Sequence, residues 1–183
     1  MTLSDVSKPG VATPRTETAE SQQPCVTPPV KLRHLALPGD VETAASWYAN
    51  PEVLYFSEGA KVPPFSKHRI ENMYRWLSEK GTVYIIEVFE GKWVPVGDAA
   101  LCKDLIPIVI GDNRYRNRGI GSRVLELLIE DAITLGWNTL IAHKVFSYNT
   151  PSIKLFEKYG FIRTFVGVDE NGEMFFRYEK SLH

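Results

Sequence analysis

The sequence predicts an α/β (α+β) domain. The expected core is one mixed, mostly antiparallel sheet of six to seven strands with helices on both faces. Three observations carry this expectation. From residue 31 onward, strand-length apolar runs alternate with stretches of helical period. Gly, Pro, Asn or Asp punctuates nearly every junction. The longest helical stretch is opened by a Gly-x-Gly turn that follows an almost continuous apolar strand.

The elements follow in order. Residues 31–37 read as a strand ending at Pro38-Gly39. Asp40 is placed to cap a helix over 41–49, with Ala44, Trp47 and Tyr48 as its apolar stripe, and Asn50-Pro51 ends it. Residues 55–65, containing Gly59, Pro63 and Pro64, read as a loop. Ser66 opens a second helix with Ile70, Met73, Tyr74 and Leu77 at helical spacing, and Gly81 closes it. Strands follow over 82–89 and 93–103, joined by Glu90-Gly91. Residues 105–110 form a further apolar strand containing Pro107, which suits an edge or a break in pairing. A helix over 119–135 carries Val124, Leu127, Leu128 and Ile133 inside and stops at Gly136. A strand over 137–145 leads to a helix from Thr150-Pro151 to Tyr159, capped by Gly160. Strands over 161–168 and 173–180 flank a turn at 169–172, and no internal repeat is visible.

Composition excludes several classes. The 183 residues carry 21 Lys plus Arg against 22 Asp plus Glu, a formal charge of -1. A charge so near zero argues against binding nucleic acid through phosphate electrostatics, so no nucleic-acid partner is expected. No apolar run approaches the ~18 residues of a membrane span, and no secretory signal is visible, so no membrane partner and a cytoplasmic, reduced setting are expected. The two cysteines, Cys25 and Cys102, make neither a disulfide framework nor a zinc-binding spacing, and no metal is expected. Residues 1–30 differ from the rest. They hold five of the twelve prolines and no aromatic residue. They are expected to be a disordered or loosely docked tail before a domain over 31–183.

The most informative segment runs from Ile108 through three arginines, Arg114, Arg116 and Arg118, to Gly119-Ile120-Gly121-Ser122. The first N–H groups of a helix lack intrahelical partners and sit at the positive end of its dipole. Glycines let a phosphate approach them, so a diphosphate is the natural guest. A Walker loop would need Gly-Lys-Ser/Thr, which is absent. A dinucleotide fingerprint would need glycine where Val124 stands. Acetyl-CoA, whose pyrophosphate sits on such a turn, is the third reading, and a glycine-rich helix start serving only the backbone is the fourth.

A second segment bears on this choice. Arg116-Asn117-Arg118-Gly119-Ile120-Gly121 resembles the Arg/Gln-x-x-Gly-x-Gly/Ala motif of the GNAT superfamily of acetyl-CoA-dependent N-acetyltransferases. Asn149 to Phe161 resembles that superfamily's Asn-x-x-Ser/Ala-x-x-Leu-Tyr-Glu-Lys-x-Gly-Phe segment. The two lie 28 residues apart (121 to 149), room for one helix and one strand. The resemblance covers roughly 31–180 and is specific over 105–165. It implies a GNAT-like sheet with splayed central strands and acetyl-CoA as co-substrate. Backbone groups of Ile108, Val109 and Ile110 would meet the pantetheine arm. The N–H groups of Arg118, Gly119, Ile120, Gly121 and Ser122, with Arg116, would hold the pyrophosphate. Asn149 would contact the cofactor arm, its alternative being a plain helix cap.

The resemblance implies direct attack of a neutral amine on the thioester, with the oxyanion held by a backbone N–H at Val109 or Ile110. The tyrosine that often serves as general acid in this family is replaced by Phe156, so Tyr148 or water is left to supply the proton. Glu58, beside Tyr55 and Phe56, is the first candidate to bind the acceptor cation or relay its proton. Asp98 is the second, and Phe56 joins them as an acceptor-side residue. The acceptor is a small-molecule or protein amine. Polyamines, aminoglycosides and a protein N-terminus all fit, and a homodimer is allowed. The alternative function is a CoA-binding sensor or scaffold with little catalysis.

Overall fold

The computed structural model describes residues 27–183. Most of the expected tail, including Cys25, therefore lies outside the described residues. Seven strands and five helices follow in the order β1 (Val30–His34), α1 (Gly39–Tyr48), α2 (Pro51–Ser57), α3 (Lys67–Lys80), β2 (Gly81–Phe89), β3 (Trp93–Cys102), β4 (Ile108–Ile110), α4 (Ile120–Thr134), β5 (Thr139–Phe146), α5 (Thr150–Lys158), β6 (Ile162–Val168) and β7 (Met174–Ser181). A short 3-10 turn, Asn113–Tyr115, stands between β4 and α4.

The strands make two hydrogen-bonded sheets, β1-β2-β3-β4 and β5-β7-β6, and every pairing is antiparallel. The expected single sheet is thus divided, and β4 ends the first half. Pro107 lacks an N–H and holds the chain to β3 only through its carbonyl, which accepts from Ala100. Regular pairing of β4 with β3 then lasts just three residues.

Helices cover both faces, as the sheet's own pattern requires. Tyr84, Ile86 and Val88 of β2 join a core with α4, α5 and β7, while Val83 and Ile85 face a second core with α1 and α3. This is the period-2 alternation of a strand buried on both sides. Ala44, Trp47 and Tyr48 form the buried stripe of α1, and Ile70, Tyr74 and Leu77 that of α3, whose N-cap is Ser66. No helix of the described residues is long and apolar enough to cross a membrane.

Four local expectations are corrected. Asp40 does not cap α1: the N-cap is Pro38, and Asp40 lies in the first turn, bound to Arg33 and to the Ala36 N–H. The expected loop from residue 55 begins instead as the end of α2, because Asn50 accepts the Glu52 N–H and starts a new helix where it closes the old one. In α4 the buried set is Ile120, Val124, Leu125, Leu128 and Ala132. Ile133 is exposed and Leu127 half-buried, since a straight 3.6-residue helix turns them off the core face. Finally, only Ile108–Ile110 of the expected 105–110 strand is regular, Leu105 making a single bridge to Cys102.

Candidate active site

A cavity of about 530 Å³ opens between β4, α2 and the first turns of α4 and α5. Its walls follow from the local structure of these elements. Gly97 of β3 lies so close to β4 that a Cβ would strike the Val109 carbonyl oxygen. That carbonyl therefore points toward β3, while the Ile110 carbonyl accepts Arg116 Nε–H at 3.3 Å on the other side. Along a strand, N–H and C=O of one residue point the same way and alternate with the next. Of the two expected oxyanion donors, Val109 is thus turned into the sheet, and Ile110 faces away from it.

Gly119 is the N-cap of α4 in the left-handed region, φ 78°, a conformation that side chains with a Cβ rarely adopt. It turns the chain so that the N–H groups of Ile120, Gly121 and Ser122 open the helix without intrahelical partners. The nearest atom to a Cβ built on Gly121 would be Leu155 Cδ2, at 3.6 Å. A Cβ there would make only an ordinary van der Waals contact, and Gly121 lines the cavity.

The structure brings most of the sequence-predicted residues together. Ile108, Val109, Ile110, Arg116, Gly119, Ile120, Gly121, Ser122, Asn149 and Phe56 all line the cavity. The three arginines divide. Arg116 lines it while paired to Glu52 at 3.1 Å. Arg118 does not: its guanidinium pairs with Glu90 at 3.2 Å and lies over the Tyr115 ring. Arg114 is held by Asp112 at 2.7 Å. The rest of the positive lining comes from Lys154 and Lys158, which the sequence reading missed. Their i, i+4 spacing on α5 was the available signal. Glu52 and Val53 were also missed, because they sit on the unexpected helix α2.

Asn149 caps α5 by accepting the Ser152 N–H at 3.1 Å and donates to the Phe56 carbonyl at 3.0 Å. Phe156 is buried against Phe161 and Tyr178. Tyr148 stacks on Tyr55 at 4.4 Å and donates its hydroxyl to the Tyr55 carbonyl at 3.0 Å. Burial, then the Glu173 carboxylate, pushes that hydroxyl's pKa up. Its proton is committed, and it lies outside the cavity lining, so this geometry does not favour the general-acid role.

Glu58 ends α2 and is half-buried. Burial raises its pKa, opposed by the charges of Arg69 and Lys144. Asp98 is fully enclosed, receiving Tyr74 at 2.8 Å and Tyr48 at 3.1 Å. Burial lifts it to about 7, the tyrosine hydrogen bonds hold it back, and the Glu58 charge adds to the rise.

A mixed α/β fold in which a strand breaks from its sheet beside a glycine-opened helix defines a class of acyl-group transferases. The chain belongs to the acetyltransferase (GNAT) family, whose model matches residues 60–161. YwnH of Bacillus subtilis (strain 168), provisionally named a phosphinothricin acetyltransferase, is 33% identical over 101 residues. That match spans 50% of this chain and 61% of YwnH. The fold is shared with the Vibrio cholerae spermidine N-acetyltransferase in complex with CoA and spermine (TM-score 0.70, 16% identity, 84% of this chain and 95% of that one). It is also shared with the aminoglycoside acetyltransferase AAC(6')-Ib in complex with coenzyme A (TM-score 0.68, 16% identity, 84% and 95%).

Proposed function

We propose that the protein transfers an acetyl group from acetyl-CoA to a primary amine of a small cationic molecule. The observation that carries this reading is the glycine-opened start of α4, whose unpartnered N–H groups lie at Gly121 and Ser122 of the cavity lining with no Cβ on Gly121, in a cavity bordered by Lys154 and Lys158. A diphosphate fits that combination of helix start, missing Cβ and positive charge. The thioester, when bound, supplies the activated acyl carbon. This chain's residues bind and orient: Ile108 and Ile110 offer backbone groups along the arm, and Ile110 N–H is the donor for the developing oxyanion. Glu58, outside the lining but next in sequence to Ser57 of it, draws the ammonium of the acceptor toward the Phe56 side of the cavity. A polyamine or aminoglycoside suits this carboxylate-and-aromatic side better than a protein N-terminus does.

A screen of amines with acetyl-CoA, reading CoA release, tests the proposal. Acetyl-CoA binding with no release on any amine would favour the CoA-binding module instead, a reading that the buried Phe156 supports. A second copy of the chain is the natural cover for β6, where Ile162, Phe165, Val166 and Val168 are exposed. We assign the domain to residues 31–183, acting in the cytoplasm.

A further inference from the structure

Glu52 is the one acidic residue among the described residues that line the cavity. Its carboxylate is already engaged. Oε2 meets Arg116 Nη1 at 3.1 Å and accepts Asn113 Nδ2–H at 2.9 Å. Arg116 in turn donates Nε–H to the Ile110 carbonyl at 3.3 Å. A carboxylate of α2 thus closes on the turn that leads into α4. Glu52, Ile110 and Arg116 share the cavity lining with Gly121 and Ser122 of the helix start. A fixed negative charge in that lining works against any anion that enters, so Glu52 and an anion cradle are at odds unless a partner changes.

The exposures decide which contact can change. The Glu52 side chain is 55% exposed and that of Arg116 is 23% exposed. A pair with one partner so exposed adds little to the stability of the fold and is readily exchanged. A diphosphate offers Arg116 a stronger partner than a half-solvated carboxylate does. It brings two negative groups, with oxygens spaced for the two arms of a guanidinium. Nε–H can stay on the Ile110 carbonyl while the terminal nitrogens turn to the new ligand. Glu52 keeps Asn113, and α2 keeps its start, because Asn50 accepts the Glu52 backbone N–H.

We propose that Glu52 is a stand-in anion that sets the affinity of the cofactor site: it holds Arg116 in the empty cavity and gives it up to the diphosphate of acetyl-CoA. This inference rests on the acetyl-transfer reading above, and it adds to that reading the residue that opposes the cofactor. Glu52 exchanges no proton and meets no reacting atom, so its role lies in binding alone. The pair also spans the site. Val53, Phe56 and Ser57 of α2 line the same cavity, so in the empty protein Glu52 ties their helix to the cofactor side.

The test is a double-mutant cycle on the full chain, read by calorimetric titration with acetyl-CoA. Glu52→Gln removes the charge and keeps an oxygen for Asn113, so its melting temperature should stay within about 2 °C of the wild type. Its Kd for acetyl-CoA should fall about three- to fivefold. Arg116→Gln should raise Kd about tenfold or more. Added to Arg116→Gln, Glu52→Gln should change Kd by less than about twofold, because the contested partner is gone. An unchanged or higher Kd in Glu52→Gln alone overturns the proposal, since Glu52 would then ready Arg116 for the cofactor instead of competing for it. An equal gain in both backgrounds also overturns it, as plain repulsion without exchange. Nitrogen NMR of the arginine side chains follows the exchange directly. Acetyl-CoA and Glu52→Gln should each move the Arg116 Nε–H signal, and a signal unmoved at saturating acetyl-CoA sinks the idea. Wild-type binding with a flat cycle removes the exchange and leaves the acetyl-transfer reading standing. Absence of wild-type binding overturns both.

Discussion

Asn149 Nδ2–H donates to the Phe56 carbonyl across 93 residues of sequence, at 3.0 Å, while its Oδ1 caps α5 through Ser152 N–H. One buried side chain therefore fixes the start of α5 and the end of α2, two walls of the same cavity. Asn149→Ala should cost about 1 kcal/mol for the cap and about 1 kcal/mol more for the stranded Phe56 carbonyl. Asn149→Ser keeps a capping oxygen but is too short to reach Phe56. It should recover most of the stability in urea unfolding while KM for acetyl-CoA stays raised. Wild-type KM in the serine variant would show that the tether to α2 is irrelevant to the cavity.

Gly119 and Gly121 are glycines for different reasons, and substitution separates them. Gly119 has φ 78°, so Gly119→Ala strains the backbone at a cost of about 1–2 kcal/mol. Gly121 is helical, and a Cβ there meets nothing closer than 3.6 Å. Gly121→Ala should therefore leave thermal stability unchanged or slightly raised. Its acetyl-CoA affinity should fall about tenfold, equivalent to about 1.4 kcal/mol. Calorimetric titration beside a melting curve checks both. Full affinity in Gly121→Ala would remove the pyrophosphate from this turn.

Elements specified by local chemistry were legible in the sequence. Ser66, Gly136 and Gly160 each mark a helix end with a capping oxygen or a glycine, and α3 and α4 are long enough to display their period. The short α2 was not legible. Seven residues give too few turns for a period, and Asn50-Pro51 signals an end and a start equally well. The cavity's glycines, β4 and Asn149 were readable because they lie within two compact motifs. The burial of Asp98 was not, since it is set by Tyr48 and Tyr74, 50 and 24 residues away. Nor was the loss of Arg118 to Glu90, 28 residues distant. Long-range partners decide where a charged side chain points, and no local spacing encodes them.

Phe156 bears on the missing general acid. Its ring is 5% exposed, packed edge-on to Phe161 at 5.2 Å and against Tyr178 at 6.3 Å. Restoring the hydroxyl should not restore an acid. In Phe156→Tyr the new group would enter an apolar cluster that offers it no established partner, costing about 1–3 kcal/mol. The prediction is a lower melting temperature with no gain in kcat at any pH. A several-fold rise in kcat would mean that the position 156 side chain reaches the leaving sulfur after all.

Arg33 holds the first sheet to α1. Its guanidinium meets Asp40 at 2.8 Å and Glu87 at 2.8 Å, with Lys31 adding a 2.9 Å contact to Glu87. Burial is the largest single influence and pushes both carboxyls up, but the hydrogen bonds and charge of Arg33, joined by the Ala36 N–H at Asp40 and by Lys31 at Glu87, together outweigh it, and both pKa values lie below their ordinary range. Groups depressed in the folded state stabilise it fully above their unfolded values. That contribution is lost as the pH falls from about 5 through the folded values. Arg33→Met leaves buried Asp40 without its cation and Glu87 with Lys31 alone, and should cost about 3 kcal/mol at neutral pH. Without Arg33, burial dominates at Asp40 and is opposed at Glu87 by Lys31 alone, so the variant's carboxyls protonate more readily than those of the wild type. The stability gap should then shrink as the pH drops from 7 to 4, because protonation relieves the variant before it harms the parent. Urea unfolding of both proteins at the two pH values measures this, and a gap that stays constant would show that Arg33 contributes through its alkyl packing rather than its charge.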